Sequence, residues 1–477
     1  MAVSRHDERH PRDQLHRQLG LFDTTMLCVS SIIGAGIFLT PGHVAATLPD
    51  PAFFLAAWLV GGLLSLAGAL ANAELGAMFP RAGGDYVYLR EAYHPFAGFL
   101  VGWLSFFVIY AGTVATLAMG FAEGVGRFVP MERSGLILLA CVTVAAVSGV
   151  NYVGLRRGAN LNNVTALLKL LAIAVLASWG LATGNGNWDH LFASRTATDD
   201  TLAAKFGLAL SPVLFSYLGW NAPVYVASEI REPGSIIPRA LFLGLGLCIA
   251  AYLLLNVVYL YALPLGELAQ QGNVGEATAR VLLGNAGAAA VALLVLASVL
   301  GCLNATVLVG PRIAYAMALD GYFFPAVDRV HNHYRTPHAA IVAQALTAVG
   351  LILLLQGFPR ILDYTTFAIV LATMADTCAL YALRKRQPHR PRPYRAWGYP
   401  WLPALYLVAN GGIALAMLWG RPAECAAGLA ITATAVPFYW RFTQRARLHH
   451  LEPASPSTET SLNEPPAPVE PRARPRC

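Results

Sequence analysis

Apolar blocks of about 20 residues or more recur along the chain, and this feature constrains the fold more than any other. A helix of ~20 apolar residues crosses a hydrocarbon core of ~30 Å, and inside that core every backbone polar group must be satisfied within the protein. Twelve such blocks occur, at about 21–47, 52–79, 95–124, 134–150, 161–183, 205–229, 239–263, 285–318, 338–356, 361–383, 401–420 and 423–440. An ordinary soluble domain carries ~25% charged residues. Here 12% of 477 residues are charged and 56% are hydrophobic, with mean hydropathy +0.53, so the chain cannot cover a water-facing surface. A soluble enzyme, a disordered hub and a fibrous protein are excluded. The expected fold class is an all-α polytopic membrane protein with 12 transmembrane helices, placed in the lipid bilayer of the cell membrane.

The basic residues orient the spans. With an even count, both termini share one side, and 25 of the 33 Lys and Arg fall on that side against seven on the other. Short loops rich in Lys and Arg stay cytoplasmic, so both termini are expected in the cytoplasm. Residues 1–20 are polar and basic, without the apolar run and small-residue cleavage site of a signal peptide; they read as a retained tail. From residue 447 the chain turns to Pro, Ser, Thr and Glu, a composition that cannot bury a core, and a disordered tail is expected over 447–477.

The net charge of +7 does not indicate nucleic-acid binding, because no water-facing domain exists to carry a basic patch. The seven cysteines are scattered, with no CxxC pair or Cys/His ligand spacing, which argues against a disulfide framework or a metal site. No nucleophile triad, phosphate loop or dinucleotide fingerprint appears. Neither an enzyme nor a cofactor is expected.

Two blocks contain helix-breaking chemistry near their middle. The first is Ser31-Ile32-Ile33-Gly34-Ala35-Gly36-Ile37-Phe38, where two glycines flank one alanine. The second, five blocks later, is Phe215-Ser216-Tyr217-Leu218-Gly219-Trp220-Asn221-Ala222-Pro223. Freed backbone groups at membrane depth are tolerated only against protein or a wet cavity. Interrupted helices at spans one and six mark an inverted-repeat transporter, in which helix N-termini receive a substrate carboxylate and free carbonyls a cation. Both charges of an α-amino acid fit such a site.

These motifs carry a resemblance to a known family. SIIGAGIF at 31–38 resembles the first span of amino acid–polyamine–organocation (APC) permeases, and FSYLGWNAPVYVASEIREPGSIIPRAL at 215–241 resembles their sixth span and the loop after it. AELGAMFPRAGGDYVYLREAY (73–93), GPRIAYAMALDGYFFPAVDRVHNHYRTP (310–337) and RPRPYRAWGYPWLPALY are similar to three further family segments, in unbroken order from about residue 19 to 440. The Trp220-Asn221 pair looks most like the bacterial relatives of L-type amino acid transporters, whereas agmatine/arginine antiporters place a glutamate near the asparagine position. Leu218 departs from the L-type pattern, which has glycine there.

The resemblance implies a five-plus-five inverted repeat, helices 1–5 over 21–183 and helices 6–10 over 205–383, followed by helices 11 and 12 over 401–440. It also implies alternating access to a central site. Carried over by motif, the substrate site comprises Ile33, Gly34, Ala35 and Gly36 through their backbone, Phe215 as an aromatic lid, and Ser216, Gly219, Trp220 and Asn221 in the unwound stretch. Lys169, the one basic residue inside a span, matches a family lysine whose ammonium takes the place of sodium in distant relatives. It is expected either to couple to a proton or to hold the first helix. By analogy with related folds, Arg17 and Asp320 form an inner gate pair. Glu74 and Glu229, near span ends, read as members of interfacial salt bridges, and Asp376 as lying near the inner end of span ten.

The expected function is secondary active transport of amino acids, neutral ones before others, by sodium-independent proton symport or exchange. The partners are then a small-molecule amino acid, protons and lipid. L-type transporters of animals pair with a single-span glycoprotein, but the sequence contains no sign of a partner subunit. The alternatives are transport of a polyamine or cationic amino acid, and a membrane amino acid sensor that does not transport. A cation-selective site should add a carboxylate where Asn221 stands, and a sensor should carry a folded signalling tail.

Overall fold

A computed structural model describes residues 10–48, 50–193, 202–355, 358–420 and 422–451. Among these residues the chain is helical, and its one β pairing is an isolated parallel bridge between Leu19 and Ile230. Residues 1–9 and 452–477, which hold part of the expected N-terminal tail and most of the C-terminal one, lie outside the described residues.

The first apolar block forms three helical pieces, α1 (Leu21–Ile32), α2 (Gly36–Leu39) and α3 (Pro41–Thr47). Ile33 leaves α1 with extended backbone (φ −73°, ψ 91°) at the start of the Gly-Ala-Gly triplet. Then come α4 (Pro51–Met78) and the short α5 (Asp85–Ala92). A long helix follows, made of α6 (Pro95–Leu104), a π turn at Ser105–Tyr110, and α7 (Ala111–Gly126). The α4 helix begins where two start signals coincide, Pro51 in its first turn and an Asp50 carboxylate accepting from the Ala52 N–H at 2.7 Å. Continuing, α8 (Arg133–Tyr152) and α9 (Leu155–Ala182) cross the molecule, and α10 (Asp189–Phe192) is a single turn.

The sixth block is again interrupted. It gives α11 (Leu202–Tyr217), then α12 (Ala222–Tyr225) and a 3-10 turn at Ala227–Glu229. Next are α13 (Pro233–Ala262), α14 (Leu265–Leu268), α15 (Val274–Val309) and α16 (Pro311–Leu319). The remaining helices are α17 (His338–Leu355), α18 (Phe358–Arg386), α19 (Trp401–Gly420), α20 (Pro422–Ala433) and α21 (Ala435–Leu451). The last of these continues past residue 447, where the sequence suggests a tail.

Among the described residues nine helices are long and apolar enough to cross a membrane, while the blocks at 205–229, 338–356 and 423–440 give shorter or interrupted helices. Large apolar side chains such as Leu171, Trp179, Leu208, Leu346 and Leu354 stand on the outside. Water would penalise that surface and lipid does not. The chain is a multi-pass helical membrane protein.

The broken α1 occupies the centre, packed against α9, α13 and α15, while α4 lies against α11, α13, α18 and α19. Polar pairs close the face that carries the N-terminal segment. Gln18 and Leu19 donate their N–H groups to the Glu229 carbonyl at 2.8 and 2.9 Å, and Arg231 N–H donates to Leu19 O. The Glu229 carboxylate takes a bidentate pair from Arg312 at 2.8 and 3.0 Å, both side chains being almost fully buried. Glu74 is likewise buried, held by Arg384 at 2.5 and 3.0 Å, by Arg392 at 3.1 Å and by the Ala396 N–H at 2.6 Å. The ion pairs expected for Glu74 and Glu229 are therefore present, with both carboxylates buried within the protein.

Candidate functional site

A helix end leaves its last carbonyls without intrahelical donors. The end of α1 at mid-molecule supplies them from three other helices. Lys169 of α9 donates from Nζ to Ser30 O at 2.9 Å and Ile33 O at 2.6 Å. Two groups of α15 join it, Ser298 Oγ donating to Ile33 O at 2.9 Å and Cys302 Sγ to Ser30 O at 3.0 Å. From α13, the Tyr252 hydroxyl lies 3.0 Å from Ile32 O and from Ser216 O, so one side chain bridges the two broken spans. The Lys169 ammonium, 1% exposed, also lies 3.5 Å from Cys302 Sγ, so all three of its protons face an acceptor. A cation at a helix C-terminus is favoured by the partial negative charge there.

The two breaks touch. Gly219 has φ +107°, and a Cβ built on it would stand 2.6 Å from Ser31 O. A Cβ on Gly36 would meet Ser216 Oγ at 3.0 Å. Only glycine at these positions lets the backbones approach so closely. Thr40 Oγ1 and Ser216 Oγ then join at 2.8 Å, and Ser216 Oγ also lies 2.9 Å from Pro212 O.

The expected site residues divide into two groups. Gly34, Ala35 and Gly36 on span one, and Phe215, Gly219 and Asn221 on span six, are partly exposed although they sit among buried neighbours. Ile33, Ser216 and Trp220 are buried, and each is committed within the protein. The Ile33 carbonyl is held by Lys169 and Ser298, Ser216 joins Thr40, and the Trp220 ring meets Tyr406 edge-on at 6.2 Å. Asn221 donates from Nδ2 to the Tyr225 oxygen at 3.1 Å. At the head of α2 the first N–H groups have no intrahelical acceptor, so this surface can receive an anion such as a carboxylate.

Lys169 lies against the carbonyls of the first helix. Of the expected gate pair, Arg17 is half-buried in the N-terminal segment, and the Asp320 carboxylate is ion-paired with Arg90 of α5. The Tyr86 hydroxyl donates to Asp320 at 2.6 Å, and burial with the neighbouring Asp320 charge pushes that phenol well above its ordinary range. The Arg90 guanidinium is held more firmly protonated by the same carboxylate, against the opposing effect of its own burial. Among the described residues no group of three or more His, Cys, Asp or Glu is placed to hold a metal ion.

A model of the amino acid permease family matches residues 19–437, which contain both breaks and every residue just described except Arg17. The chain belongs to the amino acid permeases. Among curated proteins, this permease is 30% identical to the serine/threonine exchanger SteT of Bacillus subtilis over 442 residues, covering 91% of the chain and 99% of the relative. It is 30% identical to the human large neutral amino acids transporter small subunit 2 over 438 residues, 89% of the chain and 80% of the relative. The human cystine/glutamate transporter is 27% identical over 434 residues, 90% of the chain and 86% of the relative.

Reading the permease from its sequence misses Tyr252, Ser298 and Thr40, which complete the break. It also misses the engagement of Asp85, whose two carboxylate oxygens both accept from the Tyr225 hydroxyl at 2.6 Å. The signal for Tyr252 was a hydroxyl-bearing side chain inside an apolar run, but nothing local says which backbone it reaches.

Proposed function

We propose that this permease is a secondary active transporter of neutral amino acids that works by alternating access, sodium-independent, as an exchanger or proton-coupled symporter. The observation that carries the reading is the contact between two interrupted helices whose backbone, at Gly34 to Gly36 and at Gly219, stays partly exposed. Such a surface offers N–H groups to a substrate carboxylate and carbonyls to its ammonium. Phe215, partly exposed beside it, is suited to cover a substrate side chain with a rigid apolar face. Asn221 in place of a carboxylate favours neutral over cationic substrates. The names of the relatives, exchangers and transporters of amino acids, support the same class.

Sodium independence is supported at the α1 end, where the Lys169 ammonium and the Ser298 and Cys302 side chains already occupy the carbonyls of Ser30 and Ile33. The reading includes a twelve-helix topology with a five-plus-five repeat over 21–183 and 205–383, supported by the two breaks, and both termini in the cytoplasm, supported by the placement of Lys and Arg. The buried Glu229–Arg312 pair and the N-terminal segment would then close the cytoplasmic side, with Arg90 and Asp320 beside them and Arg17 on the segment itself. These charges open only with movement of spans six and eight.

The test is reconstitution into liposomes with a panel of labelled amino acids, with and without internal substrate, sodium and a pH gradient. Counterflow of neutral amino acids without sodium is expected, with Phe215→Ala raising KM more than it lowers the maximal rate. Inactivity toward all amino acids and common amines overturns the transport reading, and uptake that requires sodium overturns the assignment of Lys169.

A further inference from the structure

Asp85 on α5 and Asp376 on α18 are neighbours on two helices that pack against each other, and the residues are 1% and 0% exposed. Ionised carboxylates only accept hydrogen bonds, so a hydrogen bond between two of them requires a proton. Asn72 of α4 donates from Nδ2 to Asp376 Oδ2 at 3.3 Å, while Asp376 Oδ1 receives no donor from the protein. Tyr225 and Ser105 donate to Asp85, the latter at 3.3 Å. The Tyr88 hydroxyl, fully buried, has no hydrogen-bond partner and lies close enough to interact with both carboxyls.

We propose that Asp85 and Asp376 form a site that binds one shared proton, and that Tyr225 and Asn221 connect this site to the break in span six. The proposal deepens the transport reading above by naming where a proton is held. Two buried carboxyls in contact cannot both carry charge, and such pairs keep one proton between them. The donors aimed at the pair, from Asn72, Tyr225 and Ser105, suit carboxyl oxygens and offer nothing to a metal cation. Burial pushes the Asp85 carboxyl above the usual carboxylate range, opposed in part by its hydrogen bonds from Asp376, Tyr225 and Ser105.

No positive charge among the described groups neutralises the pair. On α4, Glu74 is taken by Arg384 and Arg392; on α5, Arg90 is paired with Asp320 and Glu91. The other titratable groups that face it are tyrosines, Tyr110 from the π turn, Tyr225 from α12 and Tyr406 from α19. The chain of contacts is continuous: Asn221 donates to Tyr225, and Tyr225 donates to Asp85. Loss of the shared proton leaves two like charges, which repel across the α5–α18 contact and draw the Tyr225 donor more strongly. Protonation is thereby linked to the position of span six.

Infrared spectroscopy of the purified protein in lipid reads this site without transport. The wild type is expected to show the C=O stretch of a buried protonated carboxylic acid at neutral pH, absent from Asp85→Asn and from Asp376→Asn. Tyr225→Phe removes a donor to the ionised form and should move the midpoint for loss of the band up by about one to two pH units. This variant keeps both carboxyls and decides the matter where the asparagine variants fail to fold. In liposomes, Asp376→Asn should flatten the pH profile of exchange, a readout that a purely structural role would not move. Absence of the band in wild type, its survival in both asparagine variants, or a midpoint unmoved in Tyr225→Phe overturns the proposal. Loss of the band on adding sodium at constant pH also overturns it, in favour of a cation site. Failure of amino acid uptake leaves the infrared result standing, so the two readings fail separately.

Discussion

Gly219→Ala tests whether the two broken spans must touch. The added Cβ would stand 2.6 Å from Ser31 O and 2.9 Å from Ser31 C, both backbone atoms that cannot rotate away. Ordinary contact begins at 3.4 Å, so one segment must retreat by roughly 0.8 Å. Overpacking of this kind costs about 1–3 kcal/mol. Residue 219 also has φ +107°, a region that L side chains rarely adopt, and strain there adds about 1–3 kcal/mol. A total of about 3 kcal/mol is expected, and misplacing a binding backbone by ~1 Å costs on the order of 100-fold in rate. Gly246→Ala is the matched control. It lies on α13 with ordinary backbone, exposed, and with open space where its Cβ would go. Alanine there should be neutral or stabilising by up to about 1 kcal/mol. Both variants are measured by thermal unfolding in detergent and by counterflow in liposomes. Gly219→Ala with the melting temperature and flux of Gly246→Ala would show that the contact between the breaks is not needed.

Three further outcomes follow from the same structure. Lys169→Met removes two charge-assisted hydrogen bonds but leaves Ser30 O with Cys302 and Ile33 O with Ser298. Stability should fall by about 1–3 kcal/mol and exchange at least tenfold, and unchanged uptake would refute a holding role for the ammonium. Arg312→Met leaves the Glu229 carboxylate buried without its partner, a loss of about 3–5 kcal/mol, of which the double variant Glu229→Gln/Arg312→Met should recover a part. A single variant that melts with wild type counts against that pair. Asp85 has its carboxyl raised by burial. Its contribution to stability is therefore complete below the unfolded value of ~4 and is lost as pH rises through the folded value. Melting temperature should decline toward alkaline pH, and less steeply in Asp85→Asn; identical slopes would contradict this.

The breaks were legible because their cause is local. Gly34-Ala35-Gly36 lacks helix propensity, and Gly219 followed shortly by Pro223 cannot continue a regular helix. Lys169 was legible as a charge inside an apolar run. Its partners were not, because Ser30 and Ile33 lie well over 100 residues away and only packing brings α9 against α1. The partner of Asp320 shows the same limit. Sequence places several basic residues near span ends, and the fold selects Arg90 because α5 packs against α6 and meets α16. For Asp376, a position along span ten conveys depth but not the neighbour that matters, Asp85 on a separate short helix.

The two polar centres beside the breaks differ in what they can do. At the end of α1 the ammonium of Lys169 is fully committed, its three protons facing two carbonyls and a thiol, so it fixes that helix end. An ammonium held in this way has no N–H left over with which to report a change. The Asp85–Asp376 pair is the opposite case, since it keeps a free carboxyl oxygen and an unpartnered tyrosine hydroxyl beside it. Span six lies between the two. Its Ser216 end is fastened to span one through Thr40 and Tyr252, while its Asn221 end leads through Tyr225 to the carboxyl pair. Rearrangement of span six at the Asn221 end can therefore respond to a proton while the Ser216 end stays anchored, and Gly219, with its φ of +107°, is the residue between them whose backbone can turn.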